Sequence, residues 1–113
     1  MKTYIGDRKR YGRTVVVRDG DEAKAHLYYL MEKPSQILFN HSPDGFEWGY
    51  GGSGPAQLAL AILLDFLGDA ISALRLHQAF KANVIAALPE DEWTLTGVEI
   101  AAALEMIETE VLR

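Results

Sequence analysis

The chain contains no cysteine. That absence excludes a disulfide framework, a thiolate nucleophile and any zinc site built on sulfur, and it suits a reducing compartment. Long apolar runs are lacking as well. The longest, Leu58 to Leu64, is far short of the about 20 residues that a membrane-spanning helix needs. Met1-Lys2-Thr3-Tyr4 leads directly into strand-like sequence with no apolar leader. The expectation is a cytoplasmic protein with no membrane span. Histidine is scarce: His26, His41 and His77 show no metal-ligand spacing with one another, so neither a metal site nor a cofactor is expected. Basic residues nearly vanish towards the end, where seven acids from Glu90 onward meet one base, Arg113.

What is present is one domain's worth of material: 113 residues, 49% hydrophobic, with a net charge of −5. A single domain over residues 1–113 is expected. The charge is unevenly placed. Residues 1–20 hold six bases, Lys2, Arg8, Lys9, Arg10, Arg13 and Arg18, against Asp7 and Asp19. The molecule should therefore be an electrostatic dipole with a basic N-terminal hairpin, in which Arg8, Lys9, Arg10 and Arg13 are candidate binding residues. A solvated surface is the plainer reading of both poles.

The first half reads as strands. Thr3 to Gly6 and Arg13 to Arg18 flank a basic loop, and Asp19-Gly20 is a hairpin signal before Ala23 to Leu30. Glu32-Lys33-Pro34-Ser35 breaks that strand. Gln36 to His41 and Phe46 to Tyr50 follow as two further strands around the turn Ser42-Pro43-Asp44-Gly45. The second half reads as helices. Gly54 suits an N-cap and Pro55 a first helical position, opening a helix that is apolar on almost every face apart from Gln57 and Asp65. Gly68-Asp69 interrupts it, and Ala70 to Leu88 continues with a stripe of Ala73, Leu76, Phe80, Val84, Ala87 and Leu88 up to Pro89. Thr96 and Glu99 form a capping box for a last helix, with Leu95 and Ile100 as its staple and Ile100, Leu104, Ile107 and Val111 as its stripe. The fold class predicted is α+β: an N-terminal antiparallel meander of four to five strands packed on a C-terminal layer of about three helices.

The most individual stretch is Gly49-Tyr50-Gly51-Gly52-Ser53-Gly54, which matches G-x-G-x-x-G between a predicted strand and a helix. A dinucleotide fold then needs a second parallel strand with an acid, and residues 69–88 continue helical instead. A phosphate loop needs Lys and Ser or Thr where Pro55 and Ala56 stand. Two readings survive. Backbone amides at the helix start, with Ser53, Gly51 and Gly52, could hold an anion or nucleotide. Otherwise the glycines let the chain pack flush against the buried helix, with Trp48 and Tyr50 filling the space beside them. Asn40 and His41, near Ser42 and Asp44, could join Ser53 as a hydrolytic pair; the turn explains the same residues more simply, and no catalytic residue is assigned.

The run from Asn40 to Ala59, with its His41-Ser42-Pro43 and Phe46-Glu47-Trp48-Gly49-Tyr50-Gly51-Gly52-Ser53-Gly54-Pro55-Ala56 core, resembles the signature of a small uncharacterised protein family. That family is met in bacterial genomes, phages and other mobile elements. His77-Gln78-Ala79-Phe80-Lys81 and Trp93-Thr94-Leu95-Thr96 are similar to its later segments. The resemblance brings no reaction with it. It implies a stoichiometric binding protein, an inhibitor of a host defence complex such as a CRISPR effector or of a nucleic-acid-processing complex. The contact surface would be the basic hairpin, the acidic face, or the aromatic surface around Trp48 and Tyr50. A homodimer through the apolar Pro55 to Leu67 helix is a further expectation, and direct nucleic-acid contact through the basic hairpin is the less favoured one. The alternative is a small anion-binding, nucleotide-binding or hydrolytic site at the glycine junction, using Asn40, His41 and Ser53.

Overall fold

The computed structural model describes residues 1–21 and 23–111, without the side chain of Val111. The fold is α+β. Strands β1 (Lys2–Asp7), β2 (Val15–Asp19), β3 (His26–Tyr29) and β4 (Glu92–Thr96) form one antiparallel sheet in the order β3-β2-β1-β4. The register sets Tyr4 opposite both Val17 and Leu95, and Val17 opposite Tyr28. Because side chains alternate faces along a strand, that row points towards the helices. The next row, Tyr29, Val16, Ile5 and Thr94, points away.

Helix α1 (Arg8–Tyr11) is a single turn between β1 and β2, capped by the Asp7 carboxylate, which accepts from the Arg10 amide at 3.1 Å. Helix α2 (Lys33–Leu38) follows β3, and α3 (Ser53–Leu67) is the central rod, buried from Gly54 to Leu63. Gly68 ends α3 in the left-handed conformation, and Asp69 caps α4 (Ala70–Asn83) by accepting from the Ile71 amide. A 3-10 turn at Ile85–Ala87 leads to β4 and then α5 (Gly97–Val111). The capping box is present: the Thr96 amide donates to Glu99 Oε1 at 3.0 Å, and the Glu99 amide to Thr96 Oγ1 at 3.1 Å. Ile100, Leu104 and Ile107 are buried as the stripe requires; Val111 lies outside the described side chains. No helix among the described residues is long and apolar enough to cross a membrane.

Five elements differ from the sequence reading. Gln36 to His41 is not a strand: Pro34 sits at the start of α2, where its fixed φ favours a helical turn, and the chain then turns to meet Gln57. Phe46 to Tyr50 buries Phe46 and Trp48 on either side of half-buried Glu47, yet pairs with no strand; the Gly49 amide donates to the Ile85 carbonyl at 3.1 Å instead. The fourth strand is β4, whose Trp93 and Leu95 point inward between exposed Glu92 and Thr94. The helix predicted to run from Ala70 to Leu88 breaks at Val84, which lets Ile85 turn into the core. The start of α3 also falls earlier than predicted, with Gly52 as its N-cap.

Candidate functional site

The glycine junction is first a packing device. A Cβ on Gly54 would stand 2.6 Å from the Cβ of Glu47, and Gly49 has a φ of +85° that side chains rarely adopt. The Tyr50 ring lies over Gly52 and is itself exposed. Trp48 is core rather than surface: it is 1% exposed, meets Trp93 edge-on with ring centres 5.5 Å apart, and donates its Nε1–H to the Glu90 carbonyl at 2.9 Å. The Arg8 guanidinium covers the Trp48 ring at 4.5 Å and grips both Glu47 oxygens, at 2.7 and 3.3 Å. The Arg8 hydrogen bond therefore holds the Glu47 carboxyl below its ordinary range, against the opposing effect of burial. The cation nearest the junction thus already has its anion.

A second cluster lies behind it. Gln57, fully buried, makes four hydrogen bonds: its Oε1 accepts from the His41 and Ser42 amides at 2.7 and 2.9 Å, and its Nε2 donates to Ser35 Oγ at 2.9 Å and the Phe39 carbonyl at 3.2 Å. This pins residues 35–42 to α3. The same segment carries His41, whose ring stacks on Phe39 and whose Nε2 lies 2.9 Å from Nε2 of buried His77. His77 Nδ1 lies 2.7 Å from the Leu74 carbonyl and so carries its proton there, which leaves Nε2 to accept from His41. His41 is thus bonded to His77 rather than to Ser53. Asn40 and Ser53 are exposed.

Burial, then the neighbouring His77 and Lys81, lower the pKa of His41 from 6.5. The unfolded chain consequently takes up that proton at a higher pH than the folded one. The stability contributed by neutral His41 is complete above 6.5 and is lost as the pH falls through its lower folded value. Thermal melts from about pH 8 to about pH 5 should show this loss in the wild type, and His41→Gln should flatten it. An unchanged slope in that variant would assign the loss to another group.

The sequence reading passed over a third cluster. The Asp65 carboxylate accepts from Tyr4 Oη at 2.6 Å, from Tyr28 Oη at 2.9 Å and from Lys2 Nζ at 3.3 Å. Burial, followed by the bond to Asp65, raises the pKa of both tyrosines, so they stay protonated donors. Beside Asp65 a mostly apolar cavity of about 240 Å³ opens between β3, α2 and α3, lined by Tyr28, Leu30, Pro34, Ala61 and Leu64 among others. A groove of about 470 Å³ lies beyond the same stretch of chain, lined by Arg10, Tyr11, Thr14, Tyr29, Met31 and Glu32 among others. The signals were faint: a lone acid in an apolar helix, and two tyrosines that only the strand register places in one row.

Large apolar side chains are exposed along the stretch of chain that borders these recesses. Leu27, Tyr29, Met31, Ile37 and Phe39 are exposed, all but Phe39 by 60% or more. Lys9, Arg10 and Arg13 of the predicted basic hairpin stand exposed on and after α1, in no ion pair with the described acids. Arg10 brings that charge to the groove. The structure therefore separates the residues predicted to bind: Arg8, Trp48, Tyr50, Gly51, Gly52 and Ser53 belong to the junction, Asn40 and His41 to the segment held by Gln57, and Arg10 to the apolar face. Among the described residues no three His, Asp or Glu side chains converge as a metal cluster.

A family profile described as a family of unknown function (DUF6166) matches residues 4–106. No curated protein and no solved structure matches the chain.

Proposed function

The chain belongs to the family of unknown function DUF6166, and we propose that it is a stoichiometric protein-binding module whose contact surface is the face formed by β3 and the segment after it. One observation carries this reading. Five large apolar side chains between Leu27 and Phe39 are exposed, Leu27 and Tyr29 on the strand that ends the sheet, and Tyr29 and Met31 in the lining of the groove that Arg10 also lines. Single apolar residues are ordinary on a surface, whereas several exposed along one edge strand and the segment leaving it mark a surface suited to a partner. The opposing reading, a ligand or hydrolytic site at the glycine junction, draws less support. Arg8 is held by Glu47 and His41 by His77, while Ser53 stands apart at the start of α3. Within a bacterial or phage setting, the partner proposed is a protein of a host defence or nucleic-acid-processing complex.

Tagged wild-type protein should recover a partner from host lysate in near-equimolar amount. The doubly substituted Leu27→Ser, Tyr29→Ser protein, checked for an unchanged melt, should not. An exposed aromatic and an aliphatic anchor together contribute about 2 kcal/mol, roughly thirtyfold in affinity. Full retention of the partner by the double variant would remove this face from the reading.

A further inference from the structure

We infer that the partner is bound by strand addition: an extended segment of the partner protein, alternating apolar and acidic side chains, pairs with the free edge of β3. This rests on the binding reading above and specifies how the same surface is used.

β3 ends the sheet. The Leu30 amide donates to the Val15 carbonyl at 2.8 Å, continuing the β2–β3 register. In an antiparallel pair the backbone groups of successive residues point alternately towards and away from the neighbour. Tyr28 and Leu30 therefore face β2, and Leu27 and Tyr29 direct their N–H and C=O groups outward. Beyond its shortness the edge carries little protection, since His26-Leu27-Tyr28-Tyr29 contains neither proline nor lysine and its register is continuous.

The two recesses adjoin the end of this edge and share Tyr29, Leu30 and Met31 in their linings. No residue of β1 or β2 lines the apolar cavity, so it lies at the outer side of β3 against α2 and α3. The groove has no residue of α2 or α3 in its lining and lies against Thr14 and Arg10 instead. Side chains of an added strand alternate between faces, so one would enter the apolar cavity and its neighbour would lie over the groove. Asp65 at the cavity wall is already bonded to Tyr4, Tyr28 and Lys2, which leaves an apolar residue as the fitting occupant. The groove is lined by Arg10 and Glu32, and the exposed Lys9 and Arg13 lie close to Arg10 in the chain, an excess of positive charge that favours an acidic one. Main-chain pairing supplies affinity in this mode, and the alternate recesses supply specificity.

The test uses a labelled synthetic peptide that alternates leucine and glutamate, the same peptide with lysine for glutamate, and two versions N-methylated in one or the other alternate register. The glutamate peptide should bind, protect the Leu27 and Tyr29 amides from hydrogen exchange, and bind roughly tenfold more weakly when the register facing β3 is methylated. Arg10→Glu should reverse the preference between glutamate and lysine peptides. No binding, or binding that ignores both methylation registers and leaves those amides unprotected, overturns strand addition. A dimer of the chain itself that protects the same amides overturns the assignment to a partner protein. If a lysate partner is lost in the Leu27→Ser, Tyr29→Ser protein yet never protects these amides, strand addition fails and the binding reading stands. If the wild type recovers no partner at all, the binding reading itself fails.

Discussion

A Trp48→Ala variant is expected to melt roughly 15 °C below the wild type, from a loss of about 4 kcal/mol. Truncating a fully buried tryptophan removes its transfer energy and leaves a cavity that the surroundings fill only in part. Here the loss extends further. The Glu90 carbonyl loses the indole N–H, Trp93 loses its edge-on partner, and Arg8 loses the ring beneath its guanidinium. Because a domain of this size has only about 5–15 kcal/mol of total stability, the variant should remain folded by a small margin. Trp48→Phe, which keeps most of the apolar volume and gives up the hydrogen bond, should lose less than half as much. Circular dichroism melts decide the matter: a Trp48→Ala protein within a few degrees of wild type would show that the indole is not part of the core. Tyr50→Ala, by contrast, should leave the melt nearly unchanged, because that ring is half exposed.

Gln57→Leu should destabilise the protein by about 3 kcal/mol, although leucine is apolar and fits the volume. The reason lies in the partners it abandons. The His41 and Ser42 amides, the Ser35 hydroxyl and the Phe39 carbonyl all lose their bond to one side chain. A buried polar group left unpaired costs about 1–3 kcal/mol; the Ser42 amide would be so left, whereas the His41 amide and the Phe39 carbonyl keep each other at 3.1 Å and the Ser35 hydroxyl keeps the Glu32 carbonyl at 2.7 Å, each with one bond fewer. Most of these contacts are only partly buried, and water can replace some of them. Urea unfolding would measure the loss, and hydrogen exchange would locate it: the His41 and Ser42 amides should exchange faster while those within α4 stay protected. A midpoint unchanged from wild type would mean that the segment from Ser35 to Ser42 is held by other contacts.

The two effects share a cause that also explains which parts of the fold were readable in the sequence. Apolar periodicity and end signals are local, and they placed α3, α5 and the first three strands close to their true positions. The Thr96 and Glu99 capping box and the Gly68-Asp69 break were legible because their partners lie within four residues. The segment from Gln36 to Tyr50 was misread because its conformation answers to distant groups. Gln57 holds the first part, and the Ile85 carbonyl holds Gly49. The strand β4 carried a readable alternation, but its role as a neighbour of β1 depended on pairing across most of the chain. The same holds for the sites. The basic residues after Asp7 were evident as a charge cluster, yet only the structure shows that Arg8 is tied to Glu47 while Arg10 remains at the groove.

Composition and pattern by themselves determined the class of the protein: an α+β fold, an apolar central helix, and a glycine-rich approach to it that demands bare backbone. Those properties follow from steric limits and the 2.0 and 3.6 residue periods, which act between neighbours in the chain. Tertiary structure alone decided that Trp48 is buried, that Asp65 meets two tyrosines, and that β3 is left as an open edge beside two recesses. Each of these depends on which distant residues share a row or a layer, and that choice is made by burial of the whole core at once.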